Sequence, residues 1–271
     1  MTTLSIPAAP VDRWLAAARE RRSRRSFDGQ PLAPEALEAV QEAVERWRPT
    51  DEARVVLLRD APETIFRGIV GGYGRITGAP SALVMIGASD GPAAQASVGY
   101  LGEALILEAT ALDIGTCWVG GMYDSKAVGQ HVELASGERV LAITPLGTPS
   151  ERLNSAERIV YRAKNPKPRK PTDEIAVELG SSAWPAWARA GVEAARIAPS
   201  ASNRQPWRFR MADGAAVVAF DGPESKIVSK RLDCGIAMLH FEIAARAAGV
   251  SGAWELLEHR SDVARFALGA A

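Results

Sequence analysis

The sequence has few of the features that mark secreted, metal-binding or nucleic-acid-binding proteins. Its 271 residues include two cysteines and three histidines, and the formal net charge is zero. Two widely separated cysteines predict no disulfide framework and favour a reducing compartment, so we expect a cytoplasmic location. The scattered histidines show no metal-ligand spacing, and we expect no metal site. The balanced charge gives no electrostatic reason to expect nucleic acid or an anionic membrane as a partner.

Long hydrophobic runs and the signatures of several other protein classes are also missing. The longest apolar run, around 104–112, contains Glu108 and is too short to span a bilayer. The first ten residues lack the pattern of a signal peptide. The glycine-rich stretch 72–78 is one residue too long for a dinucleotide fingerprint, and it precedes a strand pattern instead of following one. With 47% hydrophobic and 24% charged residues, the composition is typical of a soluble globular protein.

Hydrophobic periodicity predicts an α+β protein organised around two apolar helices. These helices cover 98–114 and 234–248, and each is followed by a glycine that can end it. A further helix starts at Val11 and runs into a basic turn. The other predicted helices cover 34–47 and 187–196, and the predicted strands cover 55–58, 82–86, 116–119, 140–144, 207–211, 216–219, 253–258 and 263–267. Asp213-Gly214 lies between two of these strands, as is typical of a β-hairpin.

The two apolar helices also align with each other. Sliding one onto the other matches three pairs: Gly115 with Gly249, Glu108 with Glu242, and Ala111 with Ala245. We therefore expect two diverged copies of one α+β unit, at 11–150 and 175–271, joined by a proline-spaced crossing segment at 151–174. Two such copies would pack their central helices together as a two-fold dimer does, but within one chain. The expected assembly is a monomeric pseudo-dimer.

Four short motifs carry the candidate chemistry. They are the basic turn R-R-S-R-R-S-F at 21–27, G-T-C-W-V-G-G at 115–121, K-P-R-K-P at 167–171, and A-P-S-A-S-N-R-Q-P-W at 198–207. Arginine, lysine and serine side chains suit a phosphate group, because they supply charge and several hydrogen-bond donors. The carboxamides and hydroxyls of the fourth motif suit a flat heterocycle with alternating donors and acceptors.

Each motif also has an ordinary structural interpretation. Charge runs such as 21–27 are usually solvated surface. The glycines at 120–121 could form a plain turn after a strand. The stretch 198–207 could be a polar connection from a helix to a strand, closed by the buried ring of Trp207. The residues alone leave these alternatives open.

Taken together, the four motifs resemble those of the FMN-dependent nitroreductase family. The resemblance spans most of the chain, and P-S-x-x-N-x-Q-P-W is its most specific element. It implies a nitroreductase-like α+β fold, with FMN as the cofactor and NAD(P)H as the reductant. Here the basic turn, the glycine loop and K-x-R lie together, and P-S-x-x-N occurs only later in the chain. That order resembles the tandem, fused branch of the family.

The resemblance also implies the residues of one complete flavin site. The phosphate group would be held by Arg21, Ser23 and Arg25, which alternate along the basic turn, together with Arg22, Lys167 and Arg169. The ring system would lie against Gly120, Gly121, Pro199, Ser200 and Asn203, with Gln205 bracing the loop. Arg75 would lie near the ring as a cation, and the alternative for this residue is an ordinary surface arginine.

A second flavin site would be incomplete. The chain reads Arg46-Trp47-Arg48-Pro49-Thr50-Asp51 where the first copy should carry P-S-x-x-N, and the second copy has no basic turn. On the helix alignment, Trp254 also replaces Gly120. The resemblance therefore implies a single flavin site per chain.

The activity implied by the resemblance is reduction of a small electron-poor acceptor, such as a nitroaromatic or a quinone. Hydride transfer would be ping-pong, and no side chain need act as an acid or a base. One alternative is a flavin-binding protein that stores or sequesters FMN under the crossing segment. Another is a relic of the fold that binds no flavin.

Overall fold

The computed structural model describes residues 2–48, 50–66, 76–121, 123–150, 168–181 and 184–269. Within these residues the helices are α1 (Val11–Glu20), α2 (Pro34–Arg46), α3 (Pro92–Ala111), α4 (Ser125–Val128), α5 (Thr172–Ile175), α6 (Ala186–Arg196) and α7 (Lys230–Ala247). The strands are β1 (Thr3–Leu4), β2 (Ala53–Leu58), β3 (Ser81–Gly87), β4 (Gly115–Thr116), β5 (Arg139–Gly147), β6 (Trp207–Ala212), β7 (Ala215–Phe220), β8 (Gly252–Leu256) and β9 (Asp262–Leu268). Short 3₁₀ turns cover Glu63–Phe66 and Ala201–Asn203. The prediction of an α+β fold is confirmed.

The strands form two antiparallel sheets with the same internal order. The four-stranded sheet runs β2-β3-β5-β4, and the five-stranded sheet runs β1-β8-β9-β7-β6. If β1 is left out and the four strands of each sheet are numbered in chain order, both sheets have the spatial order first, second, fourth, third. In each sheet the long apolar helix, α3 or α7, connects the second strand to the third. Both sheets also shift register between the second and last strands.

Helices α3 and α7 pack against each other in the middle of the molecule and cross at two glycines. A Cβ on Gly99 would overlap the carbonyl of Leu232, and a Cβ on Gly235 would overlap the carbonyl of Ala96. Each glycine thus contacts the residue that lies three positions before the other glycine in the chain. The sequence slide would pair Gly99 with Asp233, so the observed crossing is out of register with it. The reason is that close backbone approach needs glycine on both helices.

Several element boundaries differ from the sequence prediction. Helix α3 begins at Pro92, after Gly91, and α7 begins at Lys230, where the Ser229 hydroxyl accepts a hydrogen bond from the Arg231 amide. These first turns are more polar than the apolar runs that predicted the helices. Strand β5 continues beyond the predicted end at 144, through Pro145 to Gly147. Strand β1 has no sequence prediction, because two residues carry no periodicity.

Candidate functional site

The basic turn lies along the edge of β4. Ser23 forms a parallel bridge with Thr116, and the Arg24 amide donates to the Thr116 carbonyl at 2.8 Å. Further along, the Phe27 amide donates to the Thr77 carbonyl at 3.0 Å. These backbone bonds hold the turn beside the strand that leads into Gly120 and Gly121.

Side chains alternate in exposure along this extended turn. Arg21, Ser23 and Arg25 are half-buried, whereas Arg22 and Arg24 are exposed. Successive residues of extended backbone point to opposite sides, which accounts for the alternation. The three residues expected from their alternating positions therefore lie on the inward side of the turn.

Two neighbouring arginines have different roles. Arg22 is exposed, and its Nη1 donates to the carbonyls of Arg19, Glu20 and Arg21 at 2.8, 3.2 and 2.8 Å. It therefore satisfies the C-terminal carbonyls of α1, as a cation at a helix C-terminus commonly does. By contrast, Nη1 of Arg21 is buried and has no hydrogen-bond partner among the described residues. A buried guanidinium donor without an acceptor is costly, so this atom fits an anionic ligand.

The end of the crossing segment meets the fourth motif. Arg169 Nη1 donates to the Ala198 carbonyl at 2.5 Å and to Asn203 Oδ1 at 3.1 Å. Gln205 Oε1 accepts from the Lys170 amide at 2.8 Å, and Gln205 Nε2 donates to the Pro168 carbonyl at 3.2 Å. The brace expected of Gln205 is thus a pair of backbone contacts that fix 168–170 to the loop 198–205.

Arginines converge around Arg169. Burial and, to a smaller extent, the nearby charges of Arg21, Arg196 and Arg22 together lower the pKa of Arg169 to about 10, against the opposing charge of Glu103. Arg169 remains protonated at neutral pH. Like charges held together at a partly dehydrated position repel one another. An anion carrying nearly two charges would relieve that repulsion, so the cluster fits a phosphate monoester.

The loop 198–205 has an unusual backbone. Ser202, Asn203 and Gln205 all have positive φ, at 52°, 52° and 49°. Non-glycine residues in this region cost energy and tend to cluster at functional sites. The Ser200 hydroxyl accepts from the Gln205 amide at 2.9 Å and closes the loop on itself, while Pro199 is buried beside it.

A buried aspartate supports the same loop. Asp233 Oδ1 accepts from the Ala201 amide at 3.0 Å, and Oδ2 accepts from Arg204 Nε at 2.6 Å. Burial raises the pKa of Asp233 to about 6, with Arg204 opposing the shift. The sequence prediction began the apolar helix at Cys234 and so missed this residue. The sequence signal that could have identified Asp233 is an acidic residue in the first turn of an otherwise apolar helix.

The glycine turn, formed by Gly120 and Gly121, is covered by a segment that the sequence analysis does not identify. A Cβ on Gly120 would lie 3.1 Å from both methyl groups of Val228, and a Cβ on Gly121 would lie 2.7 Å from the Ile227 carbonyl. Gly121 also has φ of 75°. The Val228 carbonyl accepts from Arg204 Nη2 at 2.7 Å. Residues 227–228 therefore connect the glycine turn to the loop 198–205.

Comparison with known proteins agrees with this architecture. The model of the family described as "Putative TM nitroreductase" matches residues 14–245. The chain belongs to this nitroreductase family. The structure of a putative nitroreductase from Thermotoga maritima is similar, with a TM-score of 0.61 and 20% identity, over 95% of this chain and 94% of that one. A search of curated protein sequences finds no match.

Shorter nitroreductases resemble part of the chain. A nitroreductase with bound FMN from Bacteroides fragilis has a TM-score of 0.43 and 18% identity, covering 52% of this chain and 90% of that one. A second, from Desulfitobacterium hafniense and also with bound FMN, has a TM-score of 0.44 and 20% identity, covering 52% and 91%.

The structure of this nitroreductase-family chain brings together most of the expected residues that it describes. Arg21, Ser23 and Arg25 line the inner side of the basic turn, and Arg169 contacts Asn203. Arg75 and Lys167 lie outside the described residues. The described residues contain no helix long and apolar enough to cross a membrane. They also contain no cluster of His, Cys, Asp and Glu suited to a metal ion.

Proposed function

We propose that this chain is an FMN-dependent oxidoreductase that uses NAD(P)H to reduce electron-poor small molecules such as nitroaromatics or quinones. The observation that carries the proposal is the guanidinium cluster of Arg21 and Arg169, in which a buried nitrogen of Arg21 lacks a partner among the described residues. The direct bond from Arg169 to Asn203 places this cluster beside the loop 198–205. A ligand with an anionic tail and a flat polar ring system fits that pairing.

The residues divide into two sets. Those proposed for the phosphate are Arg21, Ser23, Arg25, Lys167 and Arg169. Those proposed for the ring system are Gly120, Gly121, Pro199, Ser200 and Asn203, with Arg75 as a nearby cation and Gln205 as the brace. Arg22 has a lesser part, since its guanidinium holds the end of α1. FMN, when bound, would supply the hydride chemistry, and the protein would bind, orient and shield it.

The proposal includes one flavin per chain and an intrachain pseudo-dimer. The shared sheet order and the reciprocal crossing of α3 and α7 support two related units, at 11–150 and 175–271, joined by 151–174. The first unit ends α2 at Arg46 and buries Trp47, which packs edge-on against Trp14 with ring centroids 4.7 Å apart. Core packing therefore takes the place that the second unit gives to its polar loop. Both cysteines are free and buried, in keeping with the proposed cytoplasmic location.

Reconstitution with FMN tests the proposal. The purified chain is incubated with excess FMN, desalted and examined by visible spectroscopy before and after anaerobic addition of NADPH or NADH. We expect one flavin per chain, bleaching of its band, and return of the band when a quinone or nitroaromatic is added. A protein that remains colourless would refute the cofactor assignment. A flavin band that never bleaches would instead identify a storage protein.

A further inference from the structure

One buried carboxylate joins three parts of the molecule. Glu103 in α3 is fully buried, and its Oε2 accepts from Trp118 Nε1 at 2.6 Å. Its Oε1 lies 2.8 Å from Nε2 of His240 in α7. Helix α3, helix α7 and the segment just before Gly120 therefore meet at a single side chain.

The hydrogen bonds define where the protons lie. His240 Nδ1 is buried and has no hydrogen-bond partner among the described residues. A proton on Nδ1 would be a buried donor without an acceptor, so the ring proton belongs on Nε2, where it can be donated to Glu103. Glu103 then accepts one N–H from each ring, and both carboxylate oxygens are satisfied.

This carboxylate is close to the candidate site at two points. Trp118 stands two residues before Gly120, and the tip of its ring lies against Gly102, where an added Cβ would be 2.5 Å from Trp118 Cη2. The negative charge of Glu103 also acts on Arg169 and raises its pKa against the neighbouring arginines. Glu103 thus bonds the residue that leads into Gly120 and also acts by its charge on Arg169.

We propose that Glu103 is a positioning residue that holds the glycine turn, through Trp118, in place against the second unit, and that His240 anchors Glu103 for this task. The role of the turn in binding a ligand rests on the proposed function. The restraint that Glu103 places on the turn through Trp118 is a property of the protein alone and can be measured without a cofactor.

Glu108 provides a matched control on the same helix. It is also buried, and its Oε2 accepts from an indole, Trp14 Nε1, at 2.8 Å, while Oε1 pairs with Arg13. Trp14 belongs to α1 and does not enter the glycine turn. The substitutions Glu103→Leu and Glu108→Leu thus remove equivalent indole bonds in two different places.

Hydrogen exchange followed by mass spectrometry, on protein without added FMN, measures directly how strongly residues 116–121 are restrained. Losing a hydrogen bond to a charged acceptor should speed exchange across 116–121 by about tenfold in Glu103→Leu. In Glu108→Leu we expect faster exchange in α1 and no change across 116–121. Unchanged exchange across 116–121 in Glu103→Leu would overturn the proposal. Should that variant fail to fold, Trp118→Phe removes the same bond at a partly exposed residue and must give the same local effect.

The variant Glu103→Gln separates positioning from charge. Its amide oxygen can still accept from Trp118, and its NH2 group can donate to His240 Nε2 once the imidazole proton moves to Nδ1. Because the bond to Trp118 is kept, we expect exchange across 116–121, and the dissociation constant for FMN, to stay within about threefold of the wild type. Exchange as fast as in Glu103→Leu would show that the charge, and not the bond, matters, and would refute the proposal. A wild-type protein that binds no FMN would refute the proposed function, and the exchange data would still decide the role of Glu103.

Discussion

The two sheets share one strand order but differ in what occupies the edge of the third strand. At β4, the edge is taken by the basic turn through the bridge from Ser23 to Thr116. At β8, the equivalent edge is taken by β1, in which Leu4 pairs with Trp254. One edge thus carries the arginines of the candidate site, and the other is closed by a short strand in which Leu4 is fully buried. The same strand order therefore does not give the same side chains at the edge, because the neighbouring segment decides which residues lie there.

The central helices show a similar contrast. By the observed crossing, Asp233 in α7 corresponds to Ser97 in α3. Asp233 supports the loop 198–205 through Ala201 and Arg204. The Ser97 hydroxyl is buried and has no hydrogen-bond partner among the described residues. The support for a polar loop is therefore present on one helix and missing on the other.

The largest expected effect comes from forcing the two central helices apart. Gly235→Ala would make a methyl group overlap the Ala96 carbonyl. This clash is with the backbone, so no change of side-chain rotamer can relieve it. We expect a loss of more than about 4 kcal/mol in the free energy of unfolding, measured by urea denaturation. Gly180→Ala is the control, since its added Cβ has no atom within 4 Å among the described residues other than its own chain neighbours. A well-folded Gly235→Ala protein of wild-type stability would contradict the described crossing.

The next effect comes from the strand that closes the β8 edge. Leu4→Ala removes a fully buried side chain and should cost about 3 kcal/mol of unfolding free energy. The exposed neighbour Thr3 is the control, and Thr3→Ala should change stability by less than about 0.5 kcal/mol. We expect the FMN stoichiometry of both variants to remain at one per chain. A second equivalent of FMN bound to Leu4→Ala would show that β1 alone blocks another site.

The third effect is a pH dependence centred on Asp233. Its pKa is raised from 3.8 to about 6 in the folded protein, so the folded state binds this proton more tightly than the unfolded state. This contribution to stability is complete below about pH 4 and is lost as the pH rises through 6, by up to about 3 kcal/mol.

The comparison of wild type with Asp233→Asn isolates that contribution. The asparagine cannot ionise, so the stability difference between the two proteins should change with pH between about 4 and 6 and be constant above about 7. Urea denaturation at a series of pH values measures it. A stability difference independent of pH would refute the raised pKa.

The smallest effect in free energy distinguishes two adjacent arginines. Arg21→Gln removes the inward guanidinium and should raise the dissociation constant for FMN about 30-fold, as expected for loss of a charge-assisted bond. Arg22→Gln should change it less than about threefold, because the Arg22 guanidinium serves the carbonyls that end α1. Quenching of FMN fluorescence measures both. Equal losses in the two variants would refute the division between inner and outer arginines.

Sequence patterns predicted most of the local structure. The hairpin at Asp213-Gly214 is observed, with β6 and β7 paired from Trp207 to Phe220. The alternation of Arg21, Ser23 and Arg25 is observed as well. These features depend on turn conformation and strand periodicity, which neighbouring residues determine.

Other features could not be predicted because their partners are distant in the chain. Strand β1 pairs with a strand about 250 positions later, and nothing in its two residues identifies that strand. The cover that Ile227 and Val228 place over Gly120 and Gly121 likewise brings together segments that lie more than 100 positions apart. The register of the helix crossing depended on where glycines could meet, and not on the best match of similar residues.

The amino-acid sequence by itself determined the α+β class, the motifs and the kind of ligand that their side chains suit. Only the tertiary structure decided that Arg21 is half-buried while exposed Arg22 bonds the carbonyls at the end of α1. It likewise decided that Asp233 and Glu103 accept hydrogen bonds from residues of two motifs. The physical reason is that these two kinds of information act over different distances along the chain. Propensity and periodicity act within a few residues, whereas burial, charge and hydrogen-bond satisfaction depend on which distant segments are brought together.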